Sequence, residues 1–469
     1  MIKLKKNFEY ILIFILFCCL IFILGFNVLH YDPIFGYDGE AHHEYVQNFL
    51  NLYPPWDSIG LSSNYTYEFF SPPLPYIFPA FVNEICKRYM TFESGDIYNN
   101  CRMFYGFINM IFNSILFIIL LFIYQKIINL LFKKNKYLNL STVIVIILFT
   151  VNYRTILMLR GEIYILFLNS LMLYQFLRIY RENFEFTNKD IIKFGFIIGG
   201  LALSRQWAFL LFPAYFLLVI FIDNKEIRFR YIKFITQSFI IGFFLSSWFY
   251  FNLYFQYGTF TAFNMDSTKF SFNNQPSHFY NPFNKEALIM FTKPIRGYYV
   301  NQFLPVLYSD LWGDYWGYFS FTSRDLSSGR NQLLIGDYLA RVNIVSIIPS
   351  FLLIFGFIKS FTYFKKNDDR ENSLFYKLLV LCSLSSLVGY LIFLIKYAQP
   401  TGDTIKATYI IQLFHLIGIL LIIYLEKLKE RKINVYFMIV VIYVVIFINN
   451  FSAMMSHFPY QNIFTLNNL

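Results

Sequence analysis

Charge is what this sequence has least of. Only 14% of its 469 residues are Asp, Glu, Lys or Arg, where soluble domains usually carry about a quarter, so a surface facing mostly water is excluded. Internal repeats are lacking, and so is any polar stretch that would make a soluble domain of its own. His42, His278, His415 and His457 show no metal-ligand spacing, which removes a zinc-type site. Cysteine is scarce, with five in all. Cys18, Cys19 and Cys382 lie inside apolar runs and suit a small core residue. Cys86 and Cys101 share a polar stretch, where a disulfide and a pair of free thiols are both open, because spacing fixes no connectivity.

What is there is apolar and aromatic. Hydrophobic residues make up 57% of the chain, and 60 Phe with 38 Tyr bring aromatics to 22%, a composition that suits lipid and headgroup contact. The formal charge of +11 sits in short basic clusters between apolar runs. That is the pattern of membrane orientation, and it gives no stripe for nucleic acid.

Runs of about 20 apolar residues can cross a bilayer. They fall at 10–29, 104–127, 140–157, 163–179, 191–203, 208–222, 235–255, 344–361, 374–395, 405–425 and 435–448, which predicts an all-α bundle of about eleven spans. Lys3, Lys5 and Lys6 precede the first run. That run is too long for a cleaved signal and is followed by no small-residue cleavage site, so an uncleaved anchor with a cytoplasmic N-terminus is expected.

Basic clusters then recur at every second connection: Lys133, Lys134 and Lys136; Arg178, Arg181 and Lys189; Lys225, Arg228, Arg230 and Lys233. Lys365, Lys366 and Arg370 follow, then Lys427, Lys429, Arg431 and Lys432. The alternation obeys the positive-inside rule. It sends the segments 31–103 and 256–341 and the tail after Asn449 to the non-cytoplasmic face, of a plasma membrane or endoplasmic reticulum. Long loops are uncommon without a purpose, so function is expected there.

The first loop opens with Tyr37-Asp38-Gly39-Glu40-Ala41-His42-His43-Glu44-Tyr45. The segment 40–50 has helical character, with Val46, Phe49 and Leu50 as a stripe for the membrane surface. Carboxylates held at a lipid interface are partly desolvated, which raises their pKa and makes Asp38 and Glu40 candidate general bases. A solvated acidic loop is the plain alternative, and with His43 the two acids could also hold a divalent cation. Farther on lies Asn64-Tyr65-Thr66-Tyr67-Glu68-Phe69-Phe70-Ser71-Pro72-Pro73-Leu74-Pro75-Tyr76. Its prolines fix an extended entry to the stretch 74–82, which is too short to span and reads as interfacial or re-entrant. The second loop carries Tyr308-Ser309-Asp310-Leu311-Trp312-Gly313-Asp314-Tyr315-Trp316. Trp312 and Trp316 could stack on sugar rings, with Asp310 and Asp314 on hydroxyls. Anchoring a re-entrant loop is an equal alternative. Asn64 and Asn450 open glycosylation sequons on the same side, and Asn139 opens one on the cytoplasmic side.

An acidic motif after the first span, followed by an aromatic-flanked Pro-Pro-Leu, resembles membrane glycosyltransferases of the GT-C class, of the protein O-mannosyltransferase and aminoarabinose-transferase type. Arg102, Arg160-Gly161-Glu162, Gly200-Leu201-Ala202-Leu203-Ser204-Arg205 with Phe212-Pro213, and Lys406-Ala407-Thr408-Tyr409 extend the likeness over most of the chain. Gly39 between the two acids, Ser71 where a His often precedes the prolines, and the missing Arg after Lys406 depart from the pattern. The resemblance implies a single GT-C-like membrane domain over 1–469. It also implies inverting transfer of a sugar from a polyprenyl-phosphate donor to a glycan, lipid or protein acceptor. Asp38 or Glu40 would be the base, and His43, Glu162 and Tyr409 substrate contacts. A phosphate leaving group needs cations, and Arg160, Arg205, Arg341, Lys396 and Lys406 all fall at outer span ends, where snorkelling is the plain alternative. A transporter or flippase of lipid-linked sugars and a non-catalytic protein of the same fold are the other readings. A transporter usually shows repeats and mid-span charge, which this sequence lacks.

Overall fold

Backbone placed in hydrocarbon must bond to itself, so apolar runs of this length close as helices. The computed structural model describes residues 2–36, 38–52, 66–90, 97–134, 137–261, 263, 265–282, 284–319, 332–364 and 370–461. Tyr37, the sequon at Asn64, and Lys136, Lys365 and Lys366 lie outside the described residues, as do the side chains of Lys3, Lys5, Lys6 and Arg370. Among the described residues no β-strand occurs. The main helices are α1 (Ile2–Leu29), α2 (Gly39–Gln47), α3 (Leu74–Tyr89), α4 (Ile97–Phe132), α5 (Leu140–Leu148), α6 (Thr150–Ile156), α7 (Glu162–Arg181) and α8 (Asn188–Ser204). They continue with α9 (Lys225–Tyr257), α10 (Phe303–Trp312), α11 (Gln332–Val345), α12 (Ile347–Tyr363), α13 (Arg370–Lys396), α14 (Ile411–Arg431) and α15 (Ile433–Asn450).

Eight described helices are long and apolar enough to cross a membrane, which makes the chain an integral multi-pass membrane protein. The sequence reading of about eleven counts three shorter pieces as well. One is α8, with 17 residues. Another, Gln206–Phe221, alternates between 3-10 and α geometry. The third is broken at Phe149 into α5 and α6, where the backbone is extended (φ −66°, ψ 105°). The break frees carbonyls that must find donors. Asn152 Nδ2 donates to Ile146 O at 2.8 Å, and the Tyr153 hydroxyl donates to Ile147 O at 2.8 Å. His415 Nε2 lies 2.8 Å from Asn152 Oδ1, which makes that nitrogen the N–H donor, so Nδ1 accepts from the Tyr124 hydroxyl at 3.0 Å. The break turns α6 so that it carries Arg154 toward the outer loops. Elsewhere, lipid offers no hydrophobic drive for helix association, so small residues set close packing. Gly195 and Gly199 of α8 meet Ile241 and Leu245 of α9, while Gly242 of α9 meets Ile198.

Ion pairs sort the bundle into two ends. Lys134 donates to Glu430 at 2.7 Å and pairs with Glu426 at 3.5 Å, and Arg181 donates to Asn372 Oδ1 at 2.9 Å. Arg230 pairs with Glu185 at 3.0 Å, and Lys429 with Glu9. The lysine-rich turns thus touch one another, as the alternation requires. The long loops and the C-terminal segment gather at the other end. Asn27, near the end of α1, donates to Met454 O at 2.9 Å and accepts from Ser456 N at 2.7 Å.

The described residues of both long loops include several helices. Of the expected stripe, Val46 is buried in α2, Phe49 is half-buried and Leu50 is exposed beyond the end of that helix. The stretch from Leu74 forms a 16-residue helix whose Cys86 is disulfide-bonded to Cys101 at the start of α4. Asn450 is buried and donates to Ser346 Oγ at 3.1 Å, which withdraws that sequon from glycosylation in the folded chain.

Candidate active site

At the loop-bearing end a cavity of about 230 Å³ opens among α2, the Glu68–Pro72 turn, the Arg205–Trp207 corner and the segment before α14. Its charged rim comes from Asp38, Glu68, Arg205, Asp403 and Lys406, and its walls from Phe70, Trp207, Phe263, Phe393 and Tyr409.

Asp38 sits just before α2 in the left-handed region (φ 60°, ψ 15°), an uncommon conformation that Asp tolerates better than most residues. A Cβ on the next residue, Gly39, would lie 2.7 Å from Ile34 O. The glycine between the two acids is therefore a packing requirement. The turn also separates the acids. Asp38 lines the cavity, while Glu40 is exposed on α2 and does not. One oxygen of Asp38 accepts from Arg160 at 2.7 Å and from Lys406 at 3.3 Å. Its side chain is 37% accessible, against 1% for Arg160 and 2% for Lys406.

The expected rise in the pKa of Asp38 is not what the geometry gives. Burial raises it, but Lys406 and Arg160 outweigh burial and hold the carboxyl below its usual range. Asp38 is accordingly ionised at neutral pH.

A second, more buried pair lies beside it. Arg205 donates to Glu68 Oε2 at 3.0 Å and to Ser71 Oγ, and its Nε lies 3.5 Å from Glu162. For Glu68, too, burial raises the pKa and Arg205 and Arg160 more than reverse it. His42 Nδ1 bonds the Tyr76 hydroxyl at 2.7 Å, and its Nε2 stands 3.8 Å from Glu68. Burial, then Arg160 and Arg205, push the pKa of His42 far down, so it is neutral. Three cations and three carboxylates (Asp38, Glu68 and Glu162) thus meet in one cluster, with Asp38 the most accessible carboxylate.

Close approach of two loops makes the cluster. A Cβ on Gly161 would fall 2.0 Å from Ser204 O and 3.1 Å from Arg205 Cβ. Only glycine lets the Arg160–Glu162 turn lie against Arg205. On the far wall, Lys406 Nζ donates to the Tyr409 hydroxyl at 3.3 Å, and Tyr409 stacks on Trp207 with ring centroids 4.8 Å apart.

Several expected substrate contacts have structural partners instead. Asp310 is buried; its Oδ2 accepts from Ala407 N at 2.6 Å, and its Oδ1 lies 3.5 Å from Arg154. Burial pushes its pKa up to about 6, against the pull of Arg154 and the Ala407 N–H. Asp314 accepts from Tyr318 N at 2.8 Å and Phe319 N at 3.1 Å. Trp312 Nε1 donates to Ser350 Oγ at 2.8 Å, and Trp316 Nε1 to Ile405 O at 2.9 Å. These four lie outside the cavity lining because their polar atoms tie the loop to the bundle. His43 bonds the Tyr105 hydroxyl, and Arg341 is exposed above the Tyr338 ring at 5.3 Å. Neither lines the cavity. Asp38, Glu40 and His43 form no metal-binding group, and none occurs among the described residues.

Sequence reasoning singled out neither Glu68 nor Arg154. Glu68 was legible as the lone acid of an aromatic, proline-rich stretch. Arg154 was hidden inside an apolar run, where a charge needs a buried partner.

The class this defines is a multi-pass membrane protein with a charged, aromatic-walled cavity at one end of its bundle. Compared with known proteins, the chain matches no family model and no curated protein.

Proposed function

We propose that this protein is an inverting glycosyltransferase of the GT-C kind, moving a sugar from a polyprenyl-phosphate donor to an acceptor hydroxyl on the non-cytoplasmic face. One observation carries the reading: an accessible carboxylate, Asp38, lines one small cavity with two buried cations, Arg205 and Lys406, while a third, Arg160, pairs with it from outside the cavity lining. A lipid-linked donor keeps its tail in the bilayer and its phosphate at the interface, the depth expected for a cavity among span ends. The aromatic walls suit the apolar faces of a sugar ring. The Cys86–Cys101 disulfide at the same end fits an oxidising compartment.

In this reading Asp38 takes the proton of the acceptor hydroxyl as its oxygen attacks the anomeric carbon. The bond from that carbon to the phosphate oxygen breaks with inversion. The electron pair leaves on the phosphate, and Lys406 and Arg205, the cations that line the cavity with Asp38, stabilise the growing charge. Lys406 and Arg160 hold Asp38 ionised before the donor arrives. As Lys406 turns to the phosphate its pull on Asp38 weakens, and the basicity of Asp38 rises where the proton must move. Glu68 and Glu162 orient Arg205.

Membranes containing the protein, given a panel of polyprenyl-phosphate sugars, test this directly. Transfer with at least one donor is expected, falling by about 10²–10⁴-fold in Asp38→Asn, as for loss of a general base. Activity within a few-fold of wild type in that variant would remove Asp38 as the base.

A further inference from the structure

A second charged feature lies at the opposite end of the bundle. Helices α4 and α7 pack side by side and end together, and between their last turns runs an open groove of about 430 Å³. Lys126, Lys133, Lys134 and Arg181 line it with Asn129 and Tyr174. Helix α4 contributes Lys126, with Lys133 just past its end, and α7 contributes Tyr174 and Arg181 two turns apart. Lys134 is already shared with Glu426 and Glu430. Lys126 and Arg181 face no carboxylate among the described residues. Lys126 stands over the Tyr174 ring at 6.0 Å, and Arg181 donates to the neutral Asn372 while its Nε is buried without a hydrogen-bond partner.

The groove does not stand alone. Ile111, Ile115, Ile119 and Phe122 of α4 are exposed, and their spacing of three or four residues runs on through Lys126 and Asn129. One face of α4 is therefore an apolar stripe that ends in a cation. From Ile115 to Lys126 the helix rises about 16 Å, close to the depth of one leaflet, about 15 Å.

We propose that this groove binds one anionic phospholipid, its phosphate between Lys126 and Arg181 and its acyl chain along the stripe. Scattered snorkelling lysines account for single charges. They do not account for cations from two helices converging beside an aromatic ring at the end of an exposed apolar track. The proposal is independent of the glycosyltransferase reading and survives its failure.

The test is native mass spectrometry of the full chain released from detergent with phosphatidylglycerol or phosphatidylcholine of matched chains. The wild type is expected to retain phosphatidylglycerol preferentially. In Lys126→Gln/Arg181→Gln the preference should fall about 25-fold, each cation near a membrane surface contributing about fivefold. Lys126→Arg/Arg181→Lys should keep it. Should the double variant not fold, Lys126→Gln alone, at an exposed position, is expected to lose about fivefold. Equal retention of the two lipids by the wild type, or an unchanged preference in the glutamine variants, overturns the proposal. So does displacement by glycerol 3-phosphate as effective as by the lipid, which would assign the groove to a soluble phosphate.

Discussion

Replacing Arg154 with Met probes how the second loop holds the cavity wall at Lys406. Arg154 is fully buried and donates to the carbonyls of Asp310 and Gly313, with its guanidinium 3.5 Å from one Asp310 carboxyl oxygen and 3.9 Å from Asp314. Asp310 in turn accepts the Ala407 N–H at 2.6 Å, the residue next to Lys406. Removing one partner of a buried pair costs about 3–5 kcal/mol, because the other charge stays behind without compensation. Arg154→Met should lower Tm in detergent accordingly. Loosening the Ala407 anchor should also move Lys406 away from its 3.3 Å contact with Asp38. A contact to a charged group is worth about 1.5–3 kcal/mol, so the donor KM should rise by about 10–100-fold. Adding Asp310→Asn removes the stranded charge but keeps an acceptor for Ala407 N. The double variant should therefore regain at least half of the lost stability and most of the KM. Unchanged stability in Arg154→Met refutes the buried pair, and lost stability with an unchanged KM refutes the coupling to Lys406.

Three other outcomes are expected. Lys406→Ala should raise the donor KM by about 10–100-fold and, by removing the cation that most lowers the Asp38 pKa, move the acid limb of the pH–rate profile upward; an unmoved limb would assign Lys406 to snorkelling. Gly161→Ala, whose Cβ would meet Ser204 O at 2.0 Å, should abolish transfer and lower Tm, whereas wild-type kinetics would show that the two loops need not touch. Burial, then Arg102 and Lys87, push the His43 pKa from 6.5 down to about 4. The unfolded chain then binds the proton more readily, so stability present above pH 6.5 is lost toward pH 4, by at most about 3 kcal/mol. His43→Gln should flatten that part of a plot of Tm against pH, and an unchanged slope would remove His43 as its source.

The sequence made the membrane class and the two ends legible, because hydropathy and lysine spacing act residue by residue. Of the roughly eleven runs it marked, eight are long apolar helices among the described residues, and how the others fold depends on more than hydropathy. Nothing local in the segment 140–157 says that Asn152, Tyr153 and His415 will satisfy a break at Phe149. The cations Arg160, Arg205 and Lys406 were legible from their places at span ends. The pairing that decides their chemistry was not. Asp38 was expected to gain a raised pKa from the interface, but the Lys406 ammonium and the Arg160 guanidinium, from distant segments, reverse the sign. The Trp312–Trp316 motif left two readings open for the same reason. Aromatic and acidic side chains look alike whether they face a ligand or tie a loop to its own bundle, and only their buried hydrogen bonds distinguish the two.

The account rests on the charged cavity and the lysine-rich turns standing on opposite sides of the membrane. Thiol labelling measures that most directly, in a background with Cys18, Cys19 and Cys382 replaced by Ala and the disulfide kept. A membrane-impermeant maleimide added to intact cells should label Gln399→Cys at the cavity rim and leave Glu430→Cys unlabelled until the membrane is opened. Labelling of both from outside, or of the Glu430 position alone, would contradict the account.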